Sequence, residues 1–218
     1  MGRNIERDER EHAIRMKKIA ATAFSVFAEH TIEKVTMSDI ADACGKGVAS
    51  IYRHYSTKPA LVVAASTWAW ENYLNEHSPR DIPTGMTAAE RFGFFLDSFL
   101  DLYHHHKDLL RFNQFFNVYV QSERISQEQM TPYMDMIGGL VDQFHEIYVQ
   151  GQEDGTLRTD LPEGEMVSTV IHLMLAAVTR YAVGLVYNEH TDPEKELQLL
   201  RDLLLTRFTA GGASQEKE

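Results

Sequence analysis

Apolar residues recur at helical spacing along most of the chain. The first stripe after a charged N-terminal segment comprises Ile19, Ala23, Phe27 and His30, which lie three or four residues apart. This spacing places side chains on one face of an α-helix. A strand would need sustained alternation of apolar and polar residues, and no segment has it. The pattern therefore predicts an all-α fold.

Two shorter stripes follow within residues 37–44 and 48–55, joined by short connections. Short connections favour helices that pack against their neighbours, so residues 1–58 are predicted to form a compact N-terminal unit of three helices. The side chains expected to face inward are Met37, Ile40, Ala41 and Cys44 in the second helix, and Val48, Ile51 and Tyr55 in the third.

The helices become longer from Pro59 onward. Clusters of glycine, proline and aspartate predict breaks at residues 77–85, 122–132, 151–162 and 188–193. We therefore expect a second, larger helical domain at residues 59–210. The small and polar residues 211–218 are predicted to form a disordered tail.

The most apolar segment, residues 166–187, is long enough to span a bilayer. It contains His172 and Arg180, and a cation is costly at the centre of a membrane. We therefore expect no membrane contact. We expect instead a helix that is buried on every side, with one face against its own domain and the other against a second subunit.

Residues 36–55 contain the strongest local motif. Thr36 and Asp39 have the spacing of a capping box, in which side chains and backbone exchange hydrogen bonds at the start of a helix. Gly45 and Gly47 allow the tight turn from which a second helix begins within three residues. The segment is typical of a helix-turn-helix.

The outward face of the second helix in this motif suits the major groove of DNA. Ala49 and Ser50 are small enough to approach base edges closely, and Arg53 can donate to guanine acceptors or to a phosphate. A surface hairpin whose polar face meets water is the alternative that spacing alone leaves open. Donors that could reach phosphates at the flank are Tyr52, His54 and Lys58.

Residues 10–62 resemble the N-terminal signature of tetracycline-repressor-type (TetR family) regulators. The remainder of the chain resembles that family only in length, helicity and C-terminal pattern. The matching blocks, in the family's order, are Ile19-Ala-Ala-Thr-Ala-Phe-Ser-Val-Phe27-Ala-Glu29, Thr36-Met-Ser-Asp-Ile40-Ala41 and Gly47-Val-Ala-Ser-Ile-Tyr52-Arg-His54-Tyr55-Ser-Thr-Lys58-Pro-Ala-Leu61.

The resemblance implies a homodimeric repressor whose paired recognition helices bind a palindromic operator in double-stranded DNA. A small molecule that binds the C-terminal domain would release it. By position, the resemblance assigns base contacts to Ser50 and Arg53, a phosphate contact to Thr36 and a structural role to Tyr55. The set predicted to contact DNA is Thr36, Lys46, Ala49, Ser50, Tyr52, Arg53, His54 and Lys58.

The chain departs from the family pattern at three places. Gly47-Val48 replaces a more common serine–lysine pair, which removes one cation, and Lys46 is expected to compensate for it. Thr31 replaces the glycine that often ends the first helix. These departures leave the DNA assignment intact.

The distribution of charge is compatible with DNA binding although the net charge is −11. Residues 1–58 contain 10 basic and 8 acidic residues, whereas the remaining 160 contain 11 and 24. A weakly basic end can therefore bind DNA while the acidic part is repelled from it. The single cysteine, Cys44, excludes an internal disulfide and fits a reducing cytoplasm.

The N-terminal arm contains arginines that could enter a minor groove, at positions 3, 7 and 10. Glu6, Asp8 and Glu9 lie between them. We therefore expect the arm to remain solvated.

Aromatic residues are concentrated in the predicted C-terminal domain. Their spacing fits an ordinary core, and their number also fits a pocket for a flat or apolar effector of unknown identity. The residues predicted to line such a pocket are Trp68, Phe95, Phe99, Tyr103, Phe112, Phe116, Tyr119 and His172.

By the same resemblance, the last two predicted helices, at residues 163–187 and 193–208, form the dimer contact. Together they suit a four-helix interface between two subunits. Whether His172 and Arg180 belong to the pocket or to this interface is open. The predicted interface residues are Met174, Val178, Arg180, Leu197, Leu200 and Leu204.

No cofactor or metal site is predicted. His104, His105 and His106 are consecutive, and adjacent helical residues point about 100° apart, so they cannot converge on one ion. Two other classes of function remain as alternatives. One is a helical protein-interaction module, and the other is a helical enzyme that uses His104, His106 or His145.

Overall fold

The computed structural model describes residues 2–76, 85–185 and 192–210, with side chains from Arg7 onward. The described chain is helical apart from turns and one isolated bridge between Leu157 and Thr209, so the prediction of an all-α fold is confirmed. The predicted tail at 211–218 and most of the predicted break at 77–85 lie outside the described residues. The described helices are α1 (Gly2–His30), α2 (Met37–Ala43), α3 (Val48–His54), α4 (Lys58–Glu76), α5 (Ala88–His105), α6 (Lys107–Glu123), α7 (Gln127–Asp154), α8 (Glu163–Val183) and α9 (Pro193–Phe208).

The contacts divide the chain into two compact units. Unit 1 comprises residues 1–76 and 111–136, and unit 2 comprises residues 77–110 and 137–218. Helices α1 to α4 therefore pack in one unit with the larger part of α6 and the start of α7. The boundary predicted at residue 58 divides a DNA-binding part from a part that binds ligand and forms the dimer. This division by function stays a prediction.

Two of the predicted breaks are shorter than expected. The prediction of a break at 122–132 is wrong except at residues 124–126, because α7 begins before Pro132. Ser126 and Gln129 start this helix by exchanging backbone-to-side-chain hydrogen bonds of 3.1 and 3.3 Å. The break predicted from residue 151 begins only after Asp154. The Asp154 carboxylate accepts a hydrogen bond of 2.7 Å from the backbone of Ala88, which links the end of α7 to the start of α5.

The core of unit 1 is built on aromatic contacts between α1, α4 and α6. The Phe24 ring meets the Phe112 ring edge-on, with 5.2 Å between centroids, and lies 5.9 Å from the ring of Trp68. Phe27 stacks on the other side of Phe112 at 6.3 Å. Offset and edge-on aromatic pairs stabilise a core beyond the area they bury.

The core of unit 2 is centred on Phe92 of α5. Its ring makes edge-on contacts, each with 6.1 Å between centroids, with Phe144 of α7 and Phe208 of α9. The Arg201 guanidinium of α9 forms two hydrogen bonds, of 2.8 and 3.1 Å, with the Asp97 carboxylate of α5. Helix α9 is therefore fixed on α5 by an apolar contact and a paired charge.

Helix α8 is the one described helix that is long and apolar enough to cross a membrane. Its buried face packs against α5 and α9 in unit 2, through Met166, Val170 and Met174 among others. A core helix of a soluble domain has the same composition.

We predict opposite effects of two glycine-to-alanine substitutions in α7. A Cβ at Gly151 would lie 2.6 Å from the Cβ of Leu157, whereas a Cβ at Gly138 would meet nothing within 4 Å. Gly151→Ala is expected to lower the free energy of unfolding by about 1 kcal/mol or more through overpacking. Gly138→Ala is expected to raise it by about 0.5–1 kcal/mol through helix propensity. Urea denaturation followed by circular dichroism measures both, and equal effects would contradict the packing at Gly151.

Candidate nucleic-acid interface

Helix α2 begins at a complete capping box. The backbone N–H of Asp39 donates to the Thr36 hydroxyl at 3.2 Å, and the backbone N–H of Thr36 donates to the Asp39 carboxylate at 2.8 Å. These hydrogen bonds from the Thr36 backbone and side chain hold the pKa of Asp39 below its usual range. The box satisfies two donors that would otherwise be free at a helix start, so the direction of α2 is fixed.

The turn after α2 contains a glycine in the left-handed region of backbone conformation. Gly45 has a φ of +62°. The N–H of Gly45 donates to the Asp42 carbonyl at 3.0 Å, and the N–H of Lys46 donates to the Ala41 carbonyl at 2.9 Å. This pair of bonds is a Schellman motif. Gly47 then caps α3 through its backbone, so the turn between the two helices comprises the four residues 44–47.

Helix α3 buries one side chain and leaves the rest of its surface open. Ile51 is fully buried, while Ala49 and Arg53 are exposed and Tyr52 is 48% exposed. The prediction that Val48 faces inward is wrong, since it is 41% exposed. Side chains in a helix point toward its N-terminal end. The glycines of the turn at that end of α3 have no side chain against which Val48 could pack.

The C-terminal end of α3 is attached to α1 by Tyr55. The ring of Tyr55 is buried, and its hydroxyl donates to the carbonyl of Met16 at 3.0 Å. Burial raises the pKa of Tyr55 to about 12, so the hydroxyl keeps its proton at neutral pH. This hydrogen bond to Met16 is consistent with the structural role that the resemblance assigns to Tyr55.

Basic side chains lie around α3, with Arg53 and His54 at its C-terminal end and Lys46 in the turn before it. His54 Nδ1 lies 3.2 Å from His12 Nε2 of α1, so one imidazole donates to the other. Partial burial lowers the pKa of His54, and the charges of His12, Arg15, Arg53 and Lys46 lower it further. Positive charges that lie close together repel one another, and a bound anion relieves this repulsion. Such a group of charges therefore favours anion binding.

Two of these cations have no anion beside them. In the described part of the chain, no carboxylate lies within 4.0 Å of the Arg53 guanidinium or the Lys46 ammonium, although Arg15 pairs with Glu11 at 3.5 Å. Arg53 and Lys46 are both exposed. They can therefore pair with phosphate without first breaking an internal ion pair.

Two residues predicted to contact DNA are engaged within unit 1. The Thr36 hydroxyl is occupied by the capping box. The Lys58 ammonium donates to the Glu33 carbonyl at 3.5 Å and lies 5.7 Å from the centroid of the Tyr119 ring. Burial is the main cause of the lowered pKa of Lys58. A phosphate contact by Lys58 would require its side chain to leave Tyr119.

The N-terminal arm is part of α1 and is not a separate segment. Arg7 pairs with Glu11 one helical turn later, at 3.0 Å, and Glu11 pairs in turn with Arg15. The side chain of Arg3 lies outside the described residues. Exposed ion pairs along a helix are the expected state of a solvated arm.

The predicted ligand residues fall into two groups, one in each unit. Phe95 and Phe99 are in contact in unit 2, and Tyr103 lies edge-on to Tyr181. His172 is exposed. The members that pack in unit 1 are Trp68, Phe112, Phe116 and Tyr119.

The predicted interface residues lie largely inside unit 2. Arg180 is exposed and Leu200 is half-buried. In the single chain, one face of α8 packs on α5 and α9 and the other face is open, so the expectation that a second subunit covers the open face stays a prediction. The core-facing members are Met174, Val178, Leu197 and Leu204, and the exposed apolar residues are Leu173, Val183, Leu199 and Leu203.

Of the three consecutive histidines, His105 and His106 lie beside the same carboxylate, that of Asp101, and His104 lies beside another. His104 Nε2 lies 2.8 Å from a carboxylate oxygen of Glu194, and His105 Nδ1 lies 2.8 Å from Asp101. Among the described residues, no three potential ligands come together as a metal site.

Residues that the sequence did not single out complete the site. His12 and the Met16 carbonyl contact α3 from 42 and 39 positions away along the chain. No local pattern indicates a contact over that separation.

We predict that the two glycines of the turn respond differently to alanine. Gly45→Ala forces an L-residue into the left-handed region and should lower the free energy of unfolding by about 1 kcal/mol. Gly47 has a φ of −69° and open space around its Cβ position, so Gly47→Ala should change stability little. Thermal unfolding of both variants measures the difference. A Gly45→Ala variant as stable as the parent would contradict the turn geometry.

Comparison with known proteins gives a family match over this region. The family model described as bacterial regulatory proteins, tetR family, matches residues 19–65, which include α2 and α3. None of the curated proteins matches the sequence of the chain.

Solved structures share the fold over most of the chain at low identity. A transcriptional regulator from Saccharomonospora viridis in complex with choline is 19% identical, with a TM-score of 0.70 over 90% of this chain and 98% of that one. FadR from Bacillus subtilis, in complex with stearoyl-CoA, is 18% identical, with a TM-score of 0.67 over 86% and 96%. AibR, in complex with isovaleryl coenzyme A and operator DNA, is 16% identical, with a TM-score of 0.62 over 88% and 98%.

The family match covers the helix-turn-helix, and the shared fold extends through the helical C-terminal part. Residues 19–65 are therefore similar to the tetR family of bacterial regulatory proteins, and the rest of the chain shares the fold of the solved regulators.

Proposed function

We propose that this protein is a dimeric transcriptional repressor that binds a palindromic operator through α3 and releases it when a small apolar or aromatic molecule binds. The observation that carries the proposal is the outer face of α3, which is exposed and carries Arg53, whose guanidinium has no carboxylate partner in the part of the chain that the structure describes. Such a regulator acts on DNA in the cytoplasm and needs no catalytic group or cofactor.

Base contacts are proposed for the residues at the centre of the outer face. Seven residues of helix extend about 10 Å, which fits a major groove about 12 Å wide. Ala49 and Ser50 let the helix backbone approach the base edges. Arg53 has room to place two donors on one guanine, which is the commonest specific contact in such interfaces.

Phosphate contacts are proposed for the donors around that centre, Lys46, Tyr52 and His54. Phosphate beside His54 would favour its protonated form and offset the repulsion from the neighbouring cations. Thr36 and Lys58 are proposed to join them after local rearrangement, since both are engaged within unit 1 in the free protein.

The dimer contact is proposed on the exposed faces of α8 and α9. Leu199 and Leu203 lie four residues apart on α9 and are 60% and 58% exposed, and Leu173 and Val183 are exposed on α8. Large apolar side chains grouped on a surface mark an interaction site. A second copy of the chain supplies the same face, as two-fold symmetry requires. The buried residues Met174, Val178, Leu197 and Leu204 would support these helices from behind.

We propose an effector that contains polar atoms, because unit 1 has buried polar groups that lack hydrogen-bond partners among the described residues. The side chains of Ser66, Trp70 and Asn113 are buried, and the Ser66 hydroxyl, the Trp70 indole N–H and the Asn113 carbonyl have no hydrogen-bond partner within the described ranges. Leaving such a group unpaired costs about 1–3 kcal/mol. A ligand that supplies partners would recover that cost, and Ser66 and Trp70 lie on one face of α4. The aromatic residues of unit 1 would supply apolar contacts.

Helix α4 is the proposed connection between effector and DNA. It begins three residues after α3 ends and contains Ser66, Trp68 and Trp70. A ligand that shifts α4 would therefore move α3 and its counterpart in the second subunit.

A helical protein-interaction module is the second candidate function. The unpaired cations around α3 would also suit an acidic protein surface. Binding to duplex DNA that weakens steeply with salt separates the two, because counterion release is characteristic of nucleic acid.

We predict that Arg53→Ala weakens operator binding by about 1–3 kcal/mol, or about 10- to 100-fold. The probe is a duplex selected from a random-sequence pool by the intact protein, and fluorescence anisotropy measures the affinity. Arg124→Ala, at an exposed arginine between α6 and α7, is the matched control and should bind as the parent does. Equal affinity of the Arg53 variant, or equal loss in the control, would contradict the assignment of α3.

We predict that a double substitution on α9, Leu199→Glu with Leu203→Glu, produces monomers. Two like charges facing their counterparts across a two-fold axis would repel and leave apolar area uncovered. Sedimentation equilibrium measures the assembly state. Val118→Glu, at a 53% exposed apolar position of α6, is the control and should leave the dimer intact. A double variant that still dimerises would place the contact elsewhere.

A further inference from the structure

A cleft of about 540 Å³ opens in unit 1 beside the C-terminal end of α3. Its walls come from α1, α4 and the start of α7, and it reaches the three residues His54, Tyr55 and Ser56. Among the residues that the sequence predicts to bind a ligand, Trp68 alone lines it. We propose that this cleft binds a small aromatic anion, as a site in its own right beside the recognition helix.

The size and lining of the cleft suit a flat apolar molecule. Its volume lies within the range of about 300–1,000 Å³ that is typical of small-molecule sites. Ala60 and Ala64 of α4 and Ala20 of α1 have short side chains, which leave space beside the ring of Trp68. Trp68 is half-buried and held from behind by Phe24, with 5.9 Å between ring centroids. A fixed indole with one open face is a stacking surface for another aromatic ring.

The charges of the cleft favour an anionic group at one end. Lys17 and His54 line the end nearest to α3. The charges of His12, Arg15, Arg53 and Lys46 act on His54 as well, so the potential there is positive. The one carboxylate in the lining, Glu71, comes eleven residues after Ala60 on α4, about 16 Å farther along the helix. An anion beside Lys17 is therefore well separated from Glu71.

The position of the cleft gives its ligand direct access to the recognition helix. Tyr55, whose hydroxyl is bonded to the Met16 carbonyl, lines the cleft together with Met16 itself. A molecule bound here touches both partners of the bond that attaches α3 to α1. Binding is a property of the free protein, so it can be tested without DNA.

The two tryptophans of the chain, Trp68 and Trp70, allow a direct test. Naphthalene-1-sulfonate is titrated into the full-length Trp70→Phe and Trp68→Phe variants, and tryptophan fluorescence is recorded. The Trp70→Phe variant, which keeps the indole in the cleft, should show a saturable change. The Trp68→Phe variant should show none. Absence of saturable binding to the parent protein at millimolar concentration overturns the proposal.

Three further variants locate the site by equilibrium dialysis. Lys17→Gln should weaken binding about fivefold, as loss of one partly exposed charge contact predicts, and Lys18→Gln, at an exposed neighbour outside the lining, should not. Ala64→Leu should abolish binding by filling the cleft, with circular dichroism reporting the fold. Equal affinities of the two lysine variants, or full binding by folded Ala64→Leu protein, would show that the anion binds elsewhere and would overturn the proposal.

Discussion

The orientation of α3 depends on attachment at both of its ends. A helix of seven residues is not stable by itself in water, and only one of its side chains, Ile51, is buried. The Schellman turn at Gly45 sets where the helix begins, and the hydrogen bond from Tyr55 to the Met16 carbonyl sets where it ends. Because the attachments lie at the ends and on one side, the opposite face is free for another molecule.

The same arrangement connects α3 to the rest of unit 1. Helix α1 holds Tyr55 and His54 through Met16 and His12, and only residues 55–57 separate α3 from α4. A displacement of α1 or α4 therefore changes the position of α3. Both helices also contribute walls to the cleft that contains Trp68. The ligand site proposed in unit 1 and the DNA contact proposed for α3 thus share the same few internal contacts.

Local features of the site could be predicted from sequence, and long-range ones could not. The capping box at Thr36 and the turn at Gly45 depend on residues within a few positions, so their spacing is sufficient. The contact of His12 with His54 joins residues 42 positions apart and leaves no periodic signal. Helix α8 is apolar around most of its surface, so its pattern did not indicate that Met174 faces the core and Leu173 faces outward. The aromatic residues of α5 and α6 were expected to form one pocket, but spacing along the chain does not reveal that they pack in different units.

Cross-linking from the outer face of α3 tests its contact with base pairs most directly. Cys44 is the only cysteine, so Cys44→Ala provides a background in which Ala49→Cys carries a photoreactive group. Base contact by α3 predicts cross-links to bases in two half-sites about 34–36 Å apart, or a multiple of that distance. The same reagent at exposed position 34, through Lys34→Cys, should give far fewer. A variant that still binds the duplex, but cross-links no better from position 49 than from position 34, would contradict the docking of α3 in the groove.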